Sequence, residues 1–366
     1  MDEHQYGSVA HRSTVTALSR LVHEWYTGME RMGVCLRILF LDFQKAFDLV
    51  DHNIAIRKLS NMGVPSTVIT WIRSFLTKRT QRVKIGNIYS EPAEIKAGVP
   101  QGTLLGPVTF LAHINNLQPS CNTIKYVDDT TVWEISNTTG SDSKIQTAAD
   151  DVMNWCEENN MRLNVDKTKE LLIYYGKTPL DIPNITIGGK VIEKVTSFKL
   201  LGVIFNDNLT WNDHISMLCT KASQRLYFVI LLKRAGVSCD DMLQFFCSTI
   251  RSILEYACVV WHPGLTKTES KALENIQERA LRIICPDVSY EEALTLKNLK
   301  TLAARRDEHC RQFFKDIQSE SHVLNCLLPP KRNLRDLRTQ RLYETPRGRT
   351  NRIQKSPINY GLFHYQ

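Results

Sequence analysis

Apolar positions recur along the chain at two spacings, and their order predicts a mixed α/β part before residue 211. Residues 12–32 carry apolar side chains at helical spacing, whereas residues 37–41 form the nearly continuous apolar run of a strand buried on both faces. Further helices are predicted over 52–59, 65–76, 104–117 and 145–160. Further strands are predicted over 80–85, 88–95, 171–175, 186–192 and 197–205, with Gly86-Asn87 and Gly188-Gly189 as hairpin turns.

Beyond residue 211 the pattern becomes almost wholly helical. Three helix starts are indicated by a Ser or Thr followed three residues later by an acid: Ser238 with Asp241, Thr266 with Glu269, and Ser289 with Glu292. Each precedes an apolar stripe at helical spacing, which indicates a bundle of packed helices. The predicted fold class is therefore α+β, followed by an all-helical part.

Asp128 and Asp129 stand between two strand-like stretches, residues 123–127 and 130–133, which places them at the tip of a predicted hairpin. Strands disfavour Asp, and adjacent carboxylates repel each other. A divalent cation would relieve that repulsion, so the pair is a candidate metal site. An ordinary acidic turn is the alternative.

A third carboxylate, Asp42, follows the apolar strand at 37–41. Three carboxylates that meet at strand ends can hold two Mg²⁺ ions about 4 Å apart for phosphoryl transfer, one at the attacking hydroxyl and one at the leaving group. Mg²⁺ keeps few protein ligands, so a larger cluster of acidic residues is not required.

Composition agrees with a folded protein: 43% of the 366 residues are hydrophobic and 23% are charged. We expect no membrane span, because no apolar run approaches the roughly 20 residues that one needs. Ten cysteines without a Cys-x-x-Cys pair suggest a reducing, intracellular compartment. A zinc site from His309, Cys310, His322 and Cys326 has irregular spacing and is disfavoured.

The net charge of +8 is concentrated near the C-terminus, where residues 331–355 carry nine basic and two acidic side chains. The basic residues are Lys331, Arg332, Arg335, Arg338, Arg341, Arg347, Arg349, Arg352 and Lys355. Such a segment favours binding of a polyanion such as nucleic acid. A solvated tail that only keeps the protein soluble is the alternative.

Five blocks of the chain, in order and at fitting spacing, resemble the reverse transcriptase of a non-LTR (LINE-type, jockey-like) retrotransposon. The region around Asp42, residues 97–107, Tyr126-Val127-Asp128-Asp129, residues 163–169 and residues 198–203 resemble the first to fourth palm motifs and the primer-grip motif. The resemblance continues through residues 254–264 to residues 349–352, and so covers essentially the whole chain.

The resemblance implies a right-hand polymerase fold with an antiparallel palm sheet backed by helices. It divides the chain into partial fingers at 1–36, a palm with remaining fingers elements at 37–210, a helical thumb and C-terminal helical region at 211–328, and a basic C-terminal tail at 329–366. It also implies an RNA-directed DNA polymerase that transfers nucleotides from dNTPs to a primer 3′-hydroxyl with two Mg²⁺ ions, for which Mn²⁺ is a possible substitute. The implied partners are an RNA template and a DNA primer, and the implied place of action is the nucleus.

Roles for single residues follow from the same resemblance. Asp42 and Asp128 would bridge the metals, with Asp129 as a third ligand or support and the Phe43 carbonyl as a further ligand. Lys167 would protonate the leaving pyrophosphate as a general acid, although Lys169 lies nearby. The nucleotide-binding residues would be Phe47, which excludes a 2′-hydroxyl, Gln101 and Arg12. Template and primer would contact Gly98, Pro100, Gln101, Gly102, Tyr126, Lys199 and Gly202.

Several alternatives stay open. Without the resemblance, Phe47 is better explained as a core residue, and Lys167 is equally well explained as a surface lysine. Ser8 and Val9 replace a Phe-Arg pair of the family, Asn116 replaces an Asp, and the chain starts near the second fingers block without an endonuclease motif. A catalytically impaired retroelement remnant that binds nucleic acid is therefore the alternative function. An RNA-templated RNA polymerase would share the carboxylates, but Phe47 and the thumb resemblance argue against it.

Overall fold

The structure, a computed structural model, describes residues 1–138, 142–177, 180–332 and 341–366. The helices in these ranges are α1 Thr14–Gly28, α2 His52–Asn61, α3 Ser66–Leu76, α4 Leu105–Ile114, α5 Ile145–Glu158, α6 Asn212–Arg234, α7 Cys239–Phe245, α8 Ser252–Glu255, α9 Cys258–Trp261, α10 Lys267–Ile284, α11 Tyr290–Leu296, α12 Leu302–Ile317 and α13 Pro357–His364. A π-helical turn, Phe246–Arg251, joins α7 to α8.

The strands in the same ranges are mostly short. They are β1 Val34–Leu41, β2 Arg79–Gln81, β3 Lys84–Ile85, β4 Ile88–Tyr89, β5 Ala93–Ile95, β6 Asn122–Tyr126, β7 Asp129–Asn137, β8 Lys169–Ile173, β9 Thr186–Ile187, β10 Lys190–Val191, β11 Glu193–Val195, β12 Ser197–Leu200 and β13 Val203–Asn206.

The chain forms two compact units, and each is built from two separate stretches. The first unit contains Met1–Ser13 and Gly33–Val195, and the second contains Thr14–Met32 and Thr196–Gln366. Helix α1, predicted within a fingers segment, therefore belongs to the second unit, as does the β12–β13 hairpin. The compact units do not follow the four predicted segments, which remain a functional prediction.

A five-stranded sheet in the order β11-β8-β1-β7-β6 organises the first unit. Strand β1 pairs antiparallel with both β7 and β8, and β6 pairs antiparallel with β7. The edge strand β11 is parallel to β8, so the sheet is mixed and not wholly antiparallel as predicted. The long connection between β8 and β11 includes the β9–β10 hairpin and lets the chain return in the same direction.

Strand β1 is buried on both faces, as its apolar run predicts. Leu39 and Leu41 join a core that also contains residues of α2, α4 and α5, such as Ala55, Phe110 and Val152. Arg37, also on β1, forms a buried ion pair with Glu170 of β8 at 2.7 Å. The sheet is therefore anchored on one side by helices and carries a buried charge pair within it.

Residues 79–95 form four short strands instead of the two longer ones predicted. Strands β3 and β4 flank the predicted Gly86-Asn87 turn, and β2 pairs with β5 further out. The ladder is interrupted where the Ser90 hydroxyl accepts a hydrogen bond from the Val83 amide at 3.0 Å. Because Ile85 and Ile88 are about three-quarters exposed, at 76% and 77%, no core face extends the strands.

The second unit combines α1, the β12–β13 hairpin and the C-terminal helices. Trp25 of α1 packs edge-to-face on Phe205 of β13, with ring centroids 5.3 Å apart, and the Tyr26 hydroxyl donates to the Leu209 carbonyl at 3.0 Å. The predicted capping boxes are present at the starts of α10 and α11. At α7 the Ser238 hydroxyl caps the helix by accepting from the Asp241 amide.

Part of the segment predicted as a basic tail is folded. Helix α13 buries Ile358 and Leu362 in a small core with Phe314 of α12 and Tyr343. The Thr350 hydroxyl and amide both bond to the Glu30 carboxylate, at 2.5 and 3.0 Å. The predicted basic residues Arg335 and Arg338 lie outside the described residues.

Two helical stretches have the length and composition of a membrane span, although no span is predicted from the sequence. They are Asn212–Arg234, which is α6, and Cys239–Gly264. Core helices of soluble proteins share these features. The two stretches alone therefore do not indicate a membrane protein.

Candidate active site

The Asp128–Asp129 pair lies at the tip of the β6–β7 hairpin, as predicted. Tyr126 is paired with Asp129, so Val127 and Asp128 form a two-residue turn. Val127 has φ 61°, in the left-handed region. Asp128 does not have a positive φ, and two-residue hairpin turns in which only the first residue does so normally carry Gly at that position. The turn that presents Asp128 is therefore strained.

Asp42 reaches the same end of the sheet as this hairpin tip because β1 lies beside β7. The register ends with Leu41 paired to Thr130, so Asp42, the first residue after β1, follows at the level of Asp129. The backbone around Asp42 is fixed from the other side: the Asn164 amide donates to the Asp42 carbonyl at 2.7 Å. The next side chain, Phe43, is buried and packs edge-to-face on Trp155. The structure thus brings together the carboxylates predicted to act together.

The three carboxylates influence one another electrostatically. Partial burial, repulsion from Asp128 and repulsion from Asp42 raise the pKa of Asp129 to about 6, although the residue as a whole is exposed. Partial burial also raises the pKa of Asp128, with a contribution from Asp42, against the lowering effect of backbone hydrogen bonds. This mutual repulsion is the charge pattern that a bound cation would relieve.

The chemistry of this donor set suits a hard divalent cation, since Mg²⁺ prefers carboxylate oxygens and water. Within the described parts of the chain, no three His, Cys, Asp or Glu side chains are arranged as a ready-made metal site. Asp42, Asp128 and Asp129 therefore lie near one another but do not form, among the described residues, the metal-binding cluster predicted from the sequence.

A cavity of about 470 Å³ opens beside Asp42. Asp42, Phe43 and Lys167 line it, together with Lys45 and Arg162. Three cations thus face one carboxylate, which makes the cavity attractive to an anion such as a phosphate group. The structure places predicted Lys167 next to predicted Asp42, and adds two basic residues that the motif comparison did not single out.

The predicted glycine-containing loop docks on the turn after Asp42. The Gly98 amide donates to the Val50 carbonyl and the Val99 amide to the Phe47 carbonyl, both at 2.8 Å. The Gln101 side chain donates to the Asp48 carboxylate at 3.1 Å. Pro100 accepts from the Thr103 hydroxyl. The loop and the Asp42 region are therefore one connected structure.

Phe47 is half-buried and stacks on Phe110 of α4, with ring centroids 4.7 Å apart. Part of the ring thus belongs to the core, as the alternative interpretation expects. The side chain is nonetheless part of the turn that follows Asp42, where a sugar-contacting ring is predicted. Both interpretations stay compatible with its position.

Three other predicted residues have different surroundings. Arg12 donates to the carbonyls of Glu3 and Gln5, at 2.6 and 2.5 Å, and its guanidinium lies over the Tyr6 ring. Its described contacts are therefore with the N-terminal segment. Lys199 and Gly202 lie in the β12–β13 hairpin of the second unit, where Gly202 has φ 87°. A Cβ on Gly202 would lie 2.9 Å from the Tyr256 ring.

Sequence reasoning did not identify Gln5, Lys45 or Arg162 as neighbours of the site. The one available signal for Gln5 was indirect. A β-branched residue at a hairpin tip needs support, but the supporting residue lies 122 positions earlier in the chain.

Asn116, which replaces an Asp of the family, also has a defined environment. Its side-chain oxygen accepts from Lys58 at 2.6 Å and from the Trp155 indole at 3.0 Å. Burial of the ammonium, with repulsion from Arg57 and Lys125, lowers the pKa of Lys58 to about 7. The neutral Asn116 side chain adds no negative charge beside this lysine, and attraction to Glu158 does not offset the effect of burial.

Replacing Asn116 by Asp should raise the pKa of Lys58 and stabilise the protein by about 0.5–1 kcal/mol near neutral pH. In the wild type the folded pKa of about 7 lies below the ordinary 10.5, so the unfolded state holds more protons between these values. The wild-type free energy of unfolding should therefore rise with pH in this window, and the variant should show a smaller rise.

Urea denaturation at pH 6.5, 8 and 9.5 measures both effects. Asn122→Asp adds the same charge at the exposed start of β6 and serves as the control. If Asn116→Asp raises the free energy of unfolding no more than the control does at every pH, the proposed pairing of residue 116 with Lys58 is contradicted.

Comparison with known proteins gives a consistent set of similarities. A family model described as reverse transcriptase (RNA-dependent DNA polymerase) matches residues 1–205. A probable RNA-directed DNA polymerase from transposon BS of Drosophila melanogaster is 24% identical in an alignment that covers 94% of this chain and 40% of the relative. The RNA-directed DNA polymerase from mobile element jockey of the same species is 25% identical in an alignment that covers 76% of this chain and 31% of the relative. This chain thus spans less than half the length of these relatives.

Among solved structures, the chain is similar to telomerase from Candida albicans in complex with the TWJ fragment of telomeric RNA. That match has a TM-score of 0.39 and 14% identity, and covers 85% of this chain and 52% of the other.

Proposed function

Since the chain belongs to the reverse transcriptase (RNA-dependent DNA polymerase) family, we propose that it carries the RNA-directed DNA polymerase site of a LINE-type retrotransposon. Its substrates would be deoxynucleoside triphosphates and the 3′-hydroxyl of a primer annealed to an RNA template. The similarity to the jockey and BS polymerases supports the non-LTR assignment.

The observation that carries this proposal is that Asp42, Asp128 and Asp129 lie at the same end of the sheet, where β1 ends and β7 begins. The β1–β7 register brings the first carboxylate opposite the hairpin that presents the other two. Repulsion from Asp42 contributes to the raised pKa of both Asp128 and Asp129, which supports a shared site. An isolated acidic turn would not need a third carboxylate from a different strand.

We propose that Asp42, Asp128 and Asp129 hold two Mg²⁺ ions, or Mn²⁺ in their place, with the Phe43 carbonyl as a further ligand. The bound metal would activate the primer hydroxyl and neutralise charge on the phosphates. By holding these ions in fixed positions, the three carboxylates would determine where the α-phosphate binds.

Basic residues beside Asp42 would receive the remaining phosphates. Lys45, Arg162 and Lys167 line the same cavity as Asp42, and that position suits the β- and γ-phosphates of a nucleotide. The Lys167 ammonium would donate a proton to the pyrophosphate as it leaves. Because Arg12 is engaged with the N-terminal segment, this cavity is the better candidate for triphosphate binding than the predicted arginine.

The loop from Gly98 to Gly102 would support the nascent base pair. Gln101 is exposed and can offer both a donor and an acceptor, while its present partner is Asp48. Phe47 lies in the turn to which this loop docks and would exclude a 2′-hydroxyl. Tyr126, at the end of β6, would contact the primer terminus.

We assign the five-stranded sheet with α2, α4 and α5 to the palm, and α6 to α12 to the thumb. The β12–β13 hairpin, with Lys199 and Gly202, would be the primer grip and contact the primer backbone. Acting on genomic DNA would require nuclear entry from an intracellular, reducing compartment.

Primer extension by the purified chain tests the proposal. An RNA template with an annealed DNA primer, Mg²⁺ and dNTPs should give extended products, whereas excess chelator or ribonucleotides in place of dNTPs should not. Salt-sensitive binding of the primer–template without extension, under all these conditions, would contradict the polymerase assignment and favour a nucleic-acid-binding remnant.

A further inference from the structure

The turn that presents Asp128 adopts a conformation that its own sequence disfavours. Val127 is β-branched and has φ 61°, which is a genuine outlier for such a residue. An outlier of this kind persists only where the surrounding structure enforces it. Some neighbouring residue must therefore hold Val127 in this conformation.

The side chain of Gln5 bonds to both sides of the Val127 residue. Its Oε1 accepts from the Val127 amide at 2.9 Å, and its Nε2 donates to the Val127 carbonyl at 3.5 Å. The same Oε1 accepts from the Gly7 amide at 2.9 Å. Gln5 is only 1% exposed, so water does not compete for these bonds.

Gln5 is itself held firmly by the segment around it. The Tyr6 amide donates to the Lys125 carbonyl at 2.7 Å and the Lys125 amide to the His4 carbonyl at 2.8 Å, which adds this segment as a short parallel neighbour to β6. The buried Lys125 ammonium pairs with the Asp2 carboxylate at 2.6 Å. The Arg12 guanidinium donates to the Gln5 carbonyl.

Gly7 completes the contact from the same segment. A Cβ on Gly7 would lie 2.5 Å from the Val127 Cγ2 and 2.6 Å from the Val127 nitrogen. Only glycine lets the segment approach the turn so closely. The turn is therefore contacted both by the Gln5 side chain, through two hydrogen bonds, and by the backbone of Gly7.

We propose that Gln5 is a positioning residue for the catalytic carboxylates. It holds Val127 in the left-handed conformation and so fixes the direction in which Asp128 leaves the turn. Gln5 acts through Val127 and contacts neither substrate nor metal. The catalytic part of this inference rests on the proposed polymerase function, whereas the conformational part does not.

Four variants test the inference: Gln5→Ala, Val127→Gly, both together, and Gln118→Ala as an exposed-glutamine control. Gln5→Ala should lower kcat for primer extension by about 10- to 100-fold, because the relaxed turn misdirects Asp128. Gly accepts a positive φ without strain, so the double variant should recover much of the loss. Loss of folding alone would not be repaired by a glycine in the turn.

Hydrogen exchange of the peptide that contains residues 126–129 gives a readout independent of activity. Gln5→Ala should speed exchange at the Val127 amide, while Gln118→Ala should not. Unchanged hydrogen exchange in Gln5→Ala would overturn the inference. If the wild type is active, a double variant that extends primers as slowly as Gln5→Ala would also overturn it. If the wild type extends no primer, the polymerase proposal fails, and the exchange result still decides whether Gln5 holds the turn.

Discussion

Primer extension should fall by about 10³-fold or more when Asp128 is replaced by alanine, because one of three carboxylates that share the metal charge is lost. Asp42→Ala should have a similar effect. The double variant should lose little more activity than either single variant, since both carboxylates serve one site. Asp181→Ala, which removes an exposed carboxylate elsewhere in the first unit, is the matched control and should stay near wild-type activity.

Stability measurements separate this loss from misfolding. Repulsion from Asp128 contributes to the raised pKa of Asp129, so the variant should be at least as stable as the wild type at pH 7. The folded pKa of about 6 exceeds the ordinary 3.8, so the folded state holds more protons between these values. The free energy of unfolding should therefore fall as pH rises through this window, and fall less in Asp128→Ala.

Thermal melts at pH 4, 6 and 7, beside single-turnover extension, provide both measurements. An Asp128→Ala protein that melts well below the wild type at pH 7 would contradict the electrostatic account. Extension that survives the substitution would remove the carboxylate site from the mechanism.

The second large effect concerns Gly98, where alanine should destabilise the first unit by about 2–4 kcal/mol. Gly98 has φ 88°, and an added Cβ would lie 2.7 Å from the Asp48 carbonyl oxygen and 2.9 Å from its carbon. Both atoms are backbone, so relief requires the loop to move away. The bonds from the Gly98 amide to Val50 and from the Val99 amide to Phe47 would then stretch.

Gly102 offers a matched control in the same loop. It has φ 79°, but nothing lies within 4 Å of an added Cβ. Gly102→Ala should therefore show only the conformational cost of about 1 kcal/mol. Urea denaturation of both variants compares them directly. Equal costs would mean that backbone strain alone, and not the close approach to Asp48, limits the Gly98 position.

Much of the site could be predicted from the sequence because its signals are local. The strand-like stretches on either side of Asp128 and Asp129 specify a hairpin, and the apolar run before Asp42 specifies a buried strand. The order of the motifs along the chain then indicates that the hairpin and the buried strand contribute to the same site. These features depend on neighbouring residues, whose spacing the sequence displays.

The supports of the site could not be predicted, because they depend on partners distant in sequence. Nothing in the sequence around Gln5 indicates that its amide bonds to Val127, nor that Arg12 is held by the carbonyls of the N-terminal segment. The parallel direction of β11 depends on the path of an intervening loop. Periodicity shows which face of an element is buried, but not which element covers it.

The discontinuous second unit has a consequence for how the chain folds while the ribosome makes it. Helix α1 exposes an apolar face of Leu18, Leu21 and Trp25 that is fully buried only in the finished unit, with residues made after position 195. At 5–20 residues per second, that face would wait roughly ten to thirty seconds for its partners. By the end of this interval the strands of the first unit would have been made, whereas α1 would still be a transient binding site for chaperones that recognise exposed apolar helices.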